Sequence, residues 1–365
     1  MTYKIKRLVS VLCLLAALFS VVLLPVSGSC ETLRFVFLAD SRSGDPTMPN
    51  PTPTDLINAP VLNAINAQIA ALNPKPSFVI YGGDQAYRGC YNGTYNFQTF
   101  KNIMTSTGIP LYTVLGNHEL YNQVSDAFVL ANQTAYQQVF TGNPANGPSG
   151  YEQLVYSFES PGGDAFFAVL DPYYLTANVG PNPPPDITGT FDNNQLNWLT
   201  AQVAQTKATH KFLFAHGPYY YVTQFTPTPP PYPPDMTYTN LWRLLDNNRF
   251  DIFFCGHTHL YSRKTIDSSI APNPLPVTPL QWHNNVVQVL NGTCGAPVDT
   301  GTPTVDPTLW HISQGANTYY FSVVDINGNR VTVNSYSGNT GAYSIFDTFT
   351  ITKNILTAVD YLLMD

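Results

Sequence analysis

Six polar residues stand at the ends of short apolar runs: Asp40, Asp84, Asn117, His216, His257 and His259. Two carboxylates, one amide oxygen and three imidazoles make a mixed oxygen and nitrogen ligand set. Such a set suits iron, zinc or manganese better than calcium or magnesium alone. Two metals about 3.5–4 Å apart need a shared carboxylate. Asp84, after the Gly82-Gly83 pair, is the expected bridge. Glycine beside a ligand lets backbone and metal approach closely. His257 and His259 are two apart, so on extended backbone they point the same way. Taken singly these residues say little. An Asp after a strand usually turns the chain or caps a helix. His210, His283 and His311 read as ordinary hydrogen-bonded histidines. The ordered set says more, because four of the seven histidines fall inside three strand-end motifs.

An α/β sheet can bring such residues together, since ligands collect at the carboxyl ends of its strands. The apolar runs 33–38, 77–81, 111–115, 165–170, 211–215 and 250–255 read as strands. They close on Asp40, Asp84, Asn117, Asp171, His216 and His257. Pro60 opens a helical pattern with Leu62, Ile65, Ile69 and Leu72 at spacings of three and four. Asp192 reads as the N-cap of a second helix carrying Leu196, Leu199 and Val203. A third helix is expected over 240–247. The rest reads as β, with a strand at 286–290 and a hairpin around Asn327-Gly328. Two proline-rich stretches, 181–185 and 227–234, interrupt the pattern. They read either as solvent loops of polyproline character or as walls of a substrate cleft. Tyr219, Tyr220, Tyr221, Tyr232 and Tyr238 crowd the second.

With 365 residues, 44% of them hydrophobic, the chain is neither disordered nor a disulfide-stapled mini-protein. Only 11% are charged, against about 25% in a typical domain, so a cluster of Asp and His is informative. The net charge of −7 argues against a nucleic-acid-coating surface. Residues 1–29 read as an export signal: Lys4, Lys6 and Arg7, a long apolar run, then Ser27, Gly28 and Ser29. The alternatives are a retained anchor, because the run is long enough to span a bilayer, and a lipid-modified Cys30. The expected location is therefore secreted, periplasmic or cell-surface. No second apolar span exists, so no stable membrane span is expected after cleavage. A domain is expected over 30–351, with a tail at 352–365. No CxxC pair is present, which argues against a thiolate zinc site. Cys255 and Cys294 both follow apolar strands, and either a bridge or two buried thiols is open to them.

Five motifs carry a family resemblance. Asp40-Ser41-Arg42, Gly83-Asp84, Gly116-Asn117-His118-Glu119, His216-Gly217-Pro218 and Gly256-His257-Thr258-His259 resemble those of calcineurin-like metallophosphoesterases. They arrive in the family's order across roughly residues 33–263. The resemblance implies an α/β fold, a four-layer sandwich of two mixed β-sheets packed face to face and flanked by helices. Many members carry a His two residues after the first Asp. Arg42 stands there instead and cannot ligate. Gly83-Asp84-Gln85-Ala86-Tyr87 resembles the GDxxY motif of purple acid phosphatases, whose tyrosine binds ferric iron. The run from His257 to Arg263 resembles their HxHxYxR ending, while Arg42 replaces their usual glycine.

By that resemblance Asp40, Asp84, Tyr87 and His259 hold Fe(III). Asp84, Asn117, His216 and His257 hold a second ion, Fe(II), Zn(II) or Mn(II). The implied activity is a secreted dimetal phosphatase acting on phosphate monoesters of small molecules. Two cations neutralise the anionic ester and supply a metal-bound hydroxide for in-line attack. His118 falls outside the ligand count and is assigned to the leaving group or to phosphate orientation. Arg42 is expected either to clamp phosphate oxygens or to form a structural salt bridge. Two other readings stay open: a phosphodiesterase or nucleotidase on the same site, and a metal-binding surface protein without turnover.

Overall fold

Alternation along each strand decides which layer a residue joins. In the computed structural model, β1 (Leu33–Leu38) points Phe35 and Phe37 one way and Val36 and Leu38 the other. Helix α1 (Ala59–Ala70), opened by Pro60, lays Val61, Leu62, Ile65 and Ile69 over the second set. The same division recurs at β2 (Phe78–Tyr81), where Phe78 and Ile80 join Phe35 while Val79 and Tyr81 join the helix. A hairpin of β3 (Cys90–Tyr91) and β4 (Thr94–Tyr95) follows, then α2 (Phe97–Thr105) and β5 (Leu111–Thr113). The single turn α3 (Asn117–Leu120) and the helix α4 (Leu130–Val139) complete the first half.

The second half repeats the logic. It contains β6 (Tyr156–Glu159), β7 (Ala165–Val169), α5 (Asn193–Gln205), β8 (His210–Phe214), α6 (Met236–Asn247) and β9 (Ile252–Cys255). Asp192 caps α5 by accepting the Gln195 N–H at 3.0 Å. Phe212, Phe214, Ile252 and Phe254 face the first sheet. Leu213, Phe253 and Cys255 face α5 and α6. The strands β10 (Tyr261–Ile266), β11 (Val286–Asn291) and β12 (His311–Ser313) follow. The chain then returns to the first sheet with β13 (Tyr319–Asn327), β14 (Arg330–Gly338) and β15 (Tyr343–Thr352).

Two mixed sheets result, in strand order β15-β14-β13-β1-β2-β5 and β12-β10-β11-β9-β8-β7-β6. They pack face to face with helices outside, the expected four-layer sandwich. The seam between them is largely phenylalanine. Phe35 meets Phe167 and Phe212 edge-on at 5.3 and 5.4 Å and stacks on Phe78 at 5.5 Å, geometries worth about 0.5–1.5 kcal/mol each beyond burial. A polar clasp also crosses the seam. Asp347 on β15 accepts from Tyr261 Oη at 2.7 Å and from Arg263 Nε and Nη2 at 2.7 and 3.1 Å on β10. Tyr261 and Arg263 of the HxHxYxR-like run therefore tie sheet to sheet.

The structure describes residues 32–43, 56–91, 93–123, 127–175, 189–220, 236–267, 282–299 and 310–353, all within one compact unit that begins at Thr32. The segment 1–29 expected to be an export signal, Cys30, both proline-rich stretches, Tyr221, Tyr232, the side chain of Tyr238 and residues 354–365 lie outside them. Tyr219 stacks on Trp242 at 5.1 Å, and Tyr220 packs between Trp242 and Trp310 at 5.9 and 6.2 Å. Cys255 and Cys294 are free buried thiols. Cys294 Sγ lies 3.2 Å from Tyr81 Oη, and Cys255 Sγ donates to the Val289 carbonyl at 3.6 Å. Among the described residues no helix is long and apolar enough to cross a membrane.

Candidate metal centre

Parallel pairing puts several strand ends on one edge. β1, β2 and β5 run parallel in the first sheet, and β7, β8, β9 and β11 run parallel in the second. Past those ends the backbone turns sharply. Asp40, Asp84 and His257 adopt φ of 64°, 54° and 74°, the left-handed region that costs a non-glycine residue about 1–3 kcal/mol. Gly83 at φ 96° makes the approach to Asp84. A Cβ on Gly256 would strike the Asp40 carboxylate, so only glycine fits before His257.

Six candidate ligands meet there, three from each sheet. Asp40, Asp84 and Asn117 follow β1, β2 and β5; His216 follows β8, and His257 and His259 follow β9. Ligand atoms of Asp40, Asp84 and His216 all lie within 4.8 Å of one another, and all three residues are buried. His216 Nε2 is 3.2 Å from Asp84 Oδ1 and 3.9 Å from Asp40 Oδ1. His259 Nε2 is 3.6 Å from Asp40 Oδ1. His257 Nδ1 lies 3.1 Å from Asn117 Oδ1, and its backbone N–H donates to both Asp40 oxygens.

Hydrogen bonds on the far side of the rings fix which nitrogen faces inward. His216 Nδ1 donates to the Gly82 carbonyl at 2.8 Å, and His259 Nδ1 donates to the Pro297 carbonyl at 2.9 Å. Carbonyls only accept, so these nitrogens carry protons and leave each Nε2 for a metal. His216 Nε2 is buried with no hydrogen-bond partner. Burial pushes Asp40 well above the usual carboxylate range, with Asp84 adding repulsion. Burial alone would lower His216, yet Asp84 and Asp40 pull it up to about 9. This pocket draws positive charge, and the His216 proton is the one a metal would displace. The donor set fits a dimetal centre.

Arg42, Tyr87 and His118 border the ligands. Arg42 Nε is 3.6 Å from Asp84 Oδ2. Tyr87 is half-buried, its ring 5.5 Å from Arg42 Cζ, 5.0 Å from Arg88 Cζ and 5.2 Å from the His118 ring. His118 Nδ1 donates to the Tyr87 carbonyl at 2.8 Å, leaving Nε2 3.8 Å from Asp84 Oδ2. Burial, then the Arg42 charge, pushes His118 down to about 3. The structure thus gathers all nine sequence-predicted residues around one pocket.

One residue was assigned no role from sequence. Glu119 is fully buried and its carboxylate accepts the N–H groups of Asp84, Gln85 and Gly116 at 2.9, 2.6 and 2.8 Å. It clamps the Asp84 turn. Burial, and then the nearby Asp84 charge, raises it to about 7. Its position three residues after Gly116, at a helix start, is the available sequence signal.

The family model described as calcineurin-like phosphoesterase matches residues 34–261. The chain belongs to the calcineurin-like phosphoesterase family. This chain shares its fold with purple acid phosphatase PPD1 from yellow lupin (Lupinus luteus) seeds: TM-score 0.61, 17% identity, 93% of this chain and 56% of that one. It therefore spans little more than half of the lupin protein. GAP50, the anchor in the inner membrane complex of Plasmodium, aligns with a TM-score of 0.56 and 16% identity, over 89% of this chain and 90% of that one. PhoD aligns with a TM-score of 0.59 and 13% identity, over 88% and 70%. No curated protein sequence matches this chain.

Proposed function

We propose that this phosphoesterase is an exported dimetal phosphatase that hydrolyses phosphate monoesters of small molecules. The buried His216 Nε2, 3.2 Å from one Asp84 oxygen and 3.9 Å from one of Asp40, carries the reading. Asp40, Asp84, Tyr87 and His259 would hold one metal, and Asp84, Asn117, His216 and His257 the other, with Asp84 bridging. Two such ions supply charge neutralisation of the ester and an acidic water. A tyrosinate ligand points to Fe(III) in the first position, with Fe(II), Zn(II) or Mn(II) in the second. Arg42, whose Nε is ion-paired with Asp84 Oδ2 at 3.6 Å, would grip a phosphate oxygen through the rest of its guanidinium fork. His118, held by the Tyr87 carbonyl, orients the phosphate or the leaving group. Residues 1–29 serve as the export signal and 30–351 as the catalytic domain, whose last strand and its bonded Lys353 carry it two residues further before the tail.

The test compares p-nitrophenyl phosphate with its bis-ester, with and without added metals. Metal-dependent release from the monoester alone is expected. Release from the diester as well points to a phosphodiesterase or nucleotidase. Release from neither leaves a metal-binding protein without turnover and overturns the proposal.

A further inference from the structure

The strands that end at the metal centre begin elsewhere. Asp251, at the start of β9, lies five residues before Gly256, about 16 Å along an extended strand. Around Asp251 opens a cleft of about 440 Å³, lined by Arg249, Arg263 and Lys353 among polar Thr265, Asn285 and Thr352. The whole chain has only 16 Lys and Arg. Lys353 Nζ donates to the Thr209 and Arg249 carbonyls as well as to Asp251, so it is held in place at the rim.

The carboxylates nearby are already engaged. Asp251 accepts from Lys353 Nζ at 2.7 Å, and Asp347 is held by Arg263. Three cations, Arg249, Arg263 and Lys353, line the cleft, and the last two are paired with Asp347 and Asp251, which leaves Arg249. Arg249 is exposed on a left-handed backbone at φ 55°. Among the described residues its guanidinium makes no hydrogen bond or ion pair.

We propose that this cleft is a second anion site, separate from the metal centre, that takes a phosphate-bearing group through Arg249 and its neighbours. Planar guanidinium forks match phosphate oxygens better than chloride, which fixes the ligand class. The group can come from a free phosphorylated molecule or from the headgroup of an anionic lipid.

Hydrogen exchange on the full-length protein separates these sources. One arm adds inorganic pyrophosphate, against potassium chloride at matched ionic strength. The other adds vesicles of phosphatidylglycerol in phosphatidylcholine, against phosphatidylcholine alone. Slowed exchange over 248–252 and 284–287 is expected in at least one arm, and the arm identifies the source. Arg249→Gln should weaken that protection about tenfold or more, Arg249→Lys should retain most of it, and Arg243→Ala, on exposed α6 surface, should leave it unchanged. Four results overturn the proposal: no protection in either arm, protection reproduced by potassium chloride, protection confined to 116–119 and 256–259, or protection unaltered in Arg249→Gln.

Discussion

Asp84 is the most heavily engaged residue of the site. Its carboxylate meets His216, Arg42, His118 Nε2 and the His118 N–H, all within 3.8 Å. Burial alone would raise it, yet His216, His118 and Arg42 hold it well below the usual carboxylate range. As a bridge it would serve both ions, so Asp84→Ala should lose hydrolysis and lower the content of both metals. A variant that still carries two metals per chain by elemental analysis would remove the bridge assignment. Tyr87 offers a sharper test. A phenol must lose its proton to bind a metal, and at mildly acid pH that takes a strong Lewis acid such as Fe(III). The iron-loaded protein should be coloured, and Tyr87→Phe should bleach it while weakening the first metal more than the second. A colourless protein with iron at that site makes Tyr87 a loop tyrosine. At this scale the ligands were legible because their types are rare in so uncharged a chain. Glu119 was not, because its local bond to the Gly116 N–H reads as a helix cap, while its hold on the turn 35 residues earlier leaves no local pattern.

The elements that hold these residues divide by how they are stabilised. β1, β2, β8 and β9 were readable because sheets covered on both faces leave continuous apolar runs. Helix α1 was readable from its apolar stripe and Pro60. Helix α4 was not: it buries Asn132 and Gln133 beside Ala135 and Tyr136. Those amides reach out of the helix, Asn132 Nδ2 to the Tyr121 carbonyl and Gln133 Nε2 to the Leu175 carbonyl. Polar anchors replaced the periodicity that a reader looks for. The strand-end turns depend on Glu119 in the same hidden way. Glu119→Gln keeps the shape and one acceptor oxygen but replaces the other with a donor facing N–H groups. The expected result is metal affinity lowered roughly 10- to 100-fold with the fold retained. Metal titration followed by calorimetry checks it; unchanged affinity would make Glu119 a bystander.

For the molecule as a whole, the seam between the sheets matters most. Its phenylalanines were visible as composition, but their partners were not, because contacts between sheets join residues far apart in sequence. The clasp at Asp347 adds a pH response. Burial would raise this carboxyl, but the Arg263 hydrogen bonds and Tyr261 hold it below its ordinary 3.8. A carboxyl lowered by folding stabilises the native state above its unfolded pKa, and that contribution fades as pH falls through the folded value. Asp347→Asn should therefore unfold in urea about 2 kcal/mol more easily at pH 7. The difference from the unaltered protein should shrink steadily below about pH 4. A gap that persists undiminished at pH 3 would assign the loss to packing.

The division of the proposed ligands between the two halves has a consequence in time. Neither half completes the four-ligand set of either proposed ion, and β13 to β15, which finish the first sheet, are the last strands in sequence order. Metal uptake must then wait for the halves to meet, whatever the helices and strands have already done. An emerging or translocating chain would stay empty, and a loaded one would be a finished one. In refolding experiments, iron or zinc capture should lag the far-ultraviolet signal of secondary structure and keep pace with burial of tryptophan. Capture that runs ahead of tryptophan burial would mean that one sheet alone suffices.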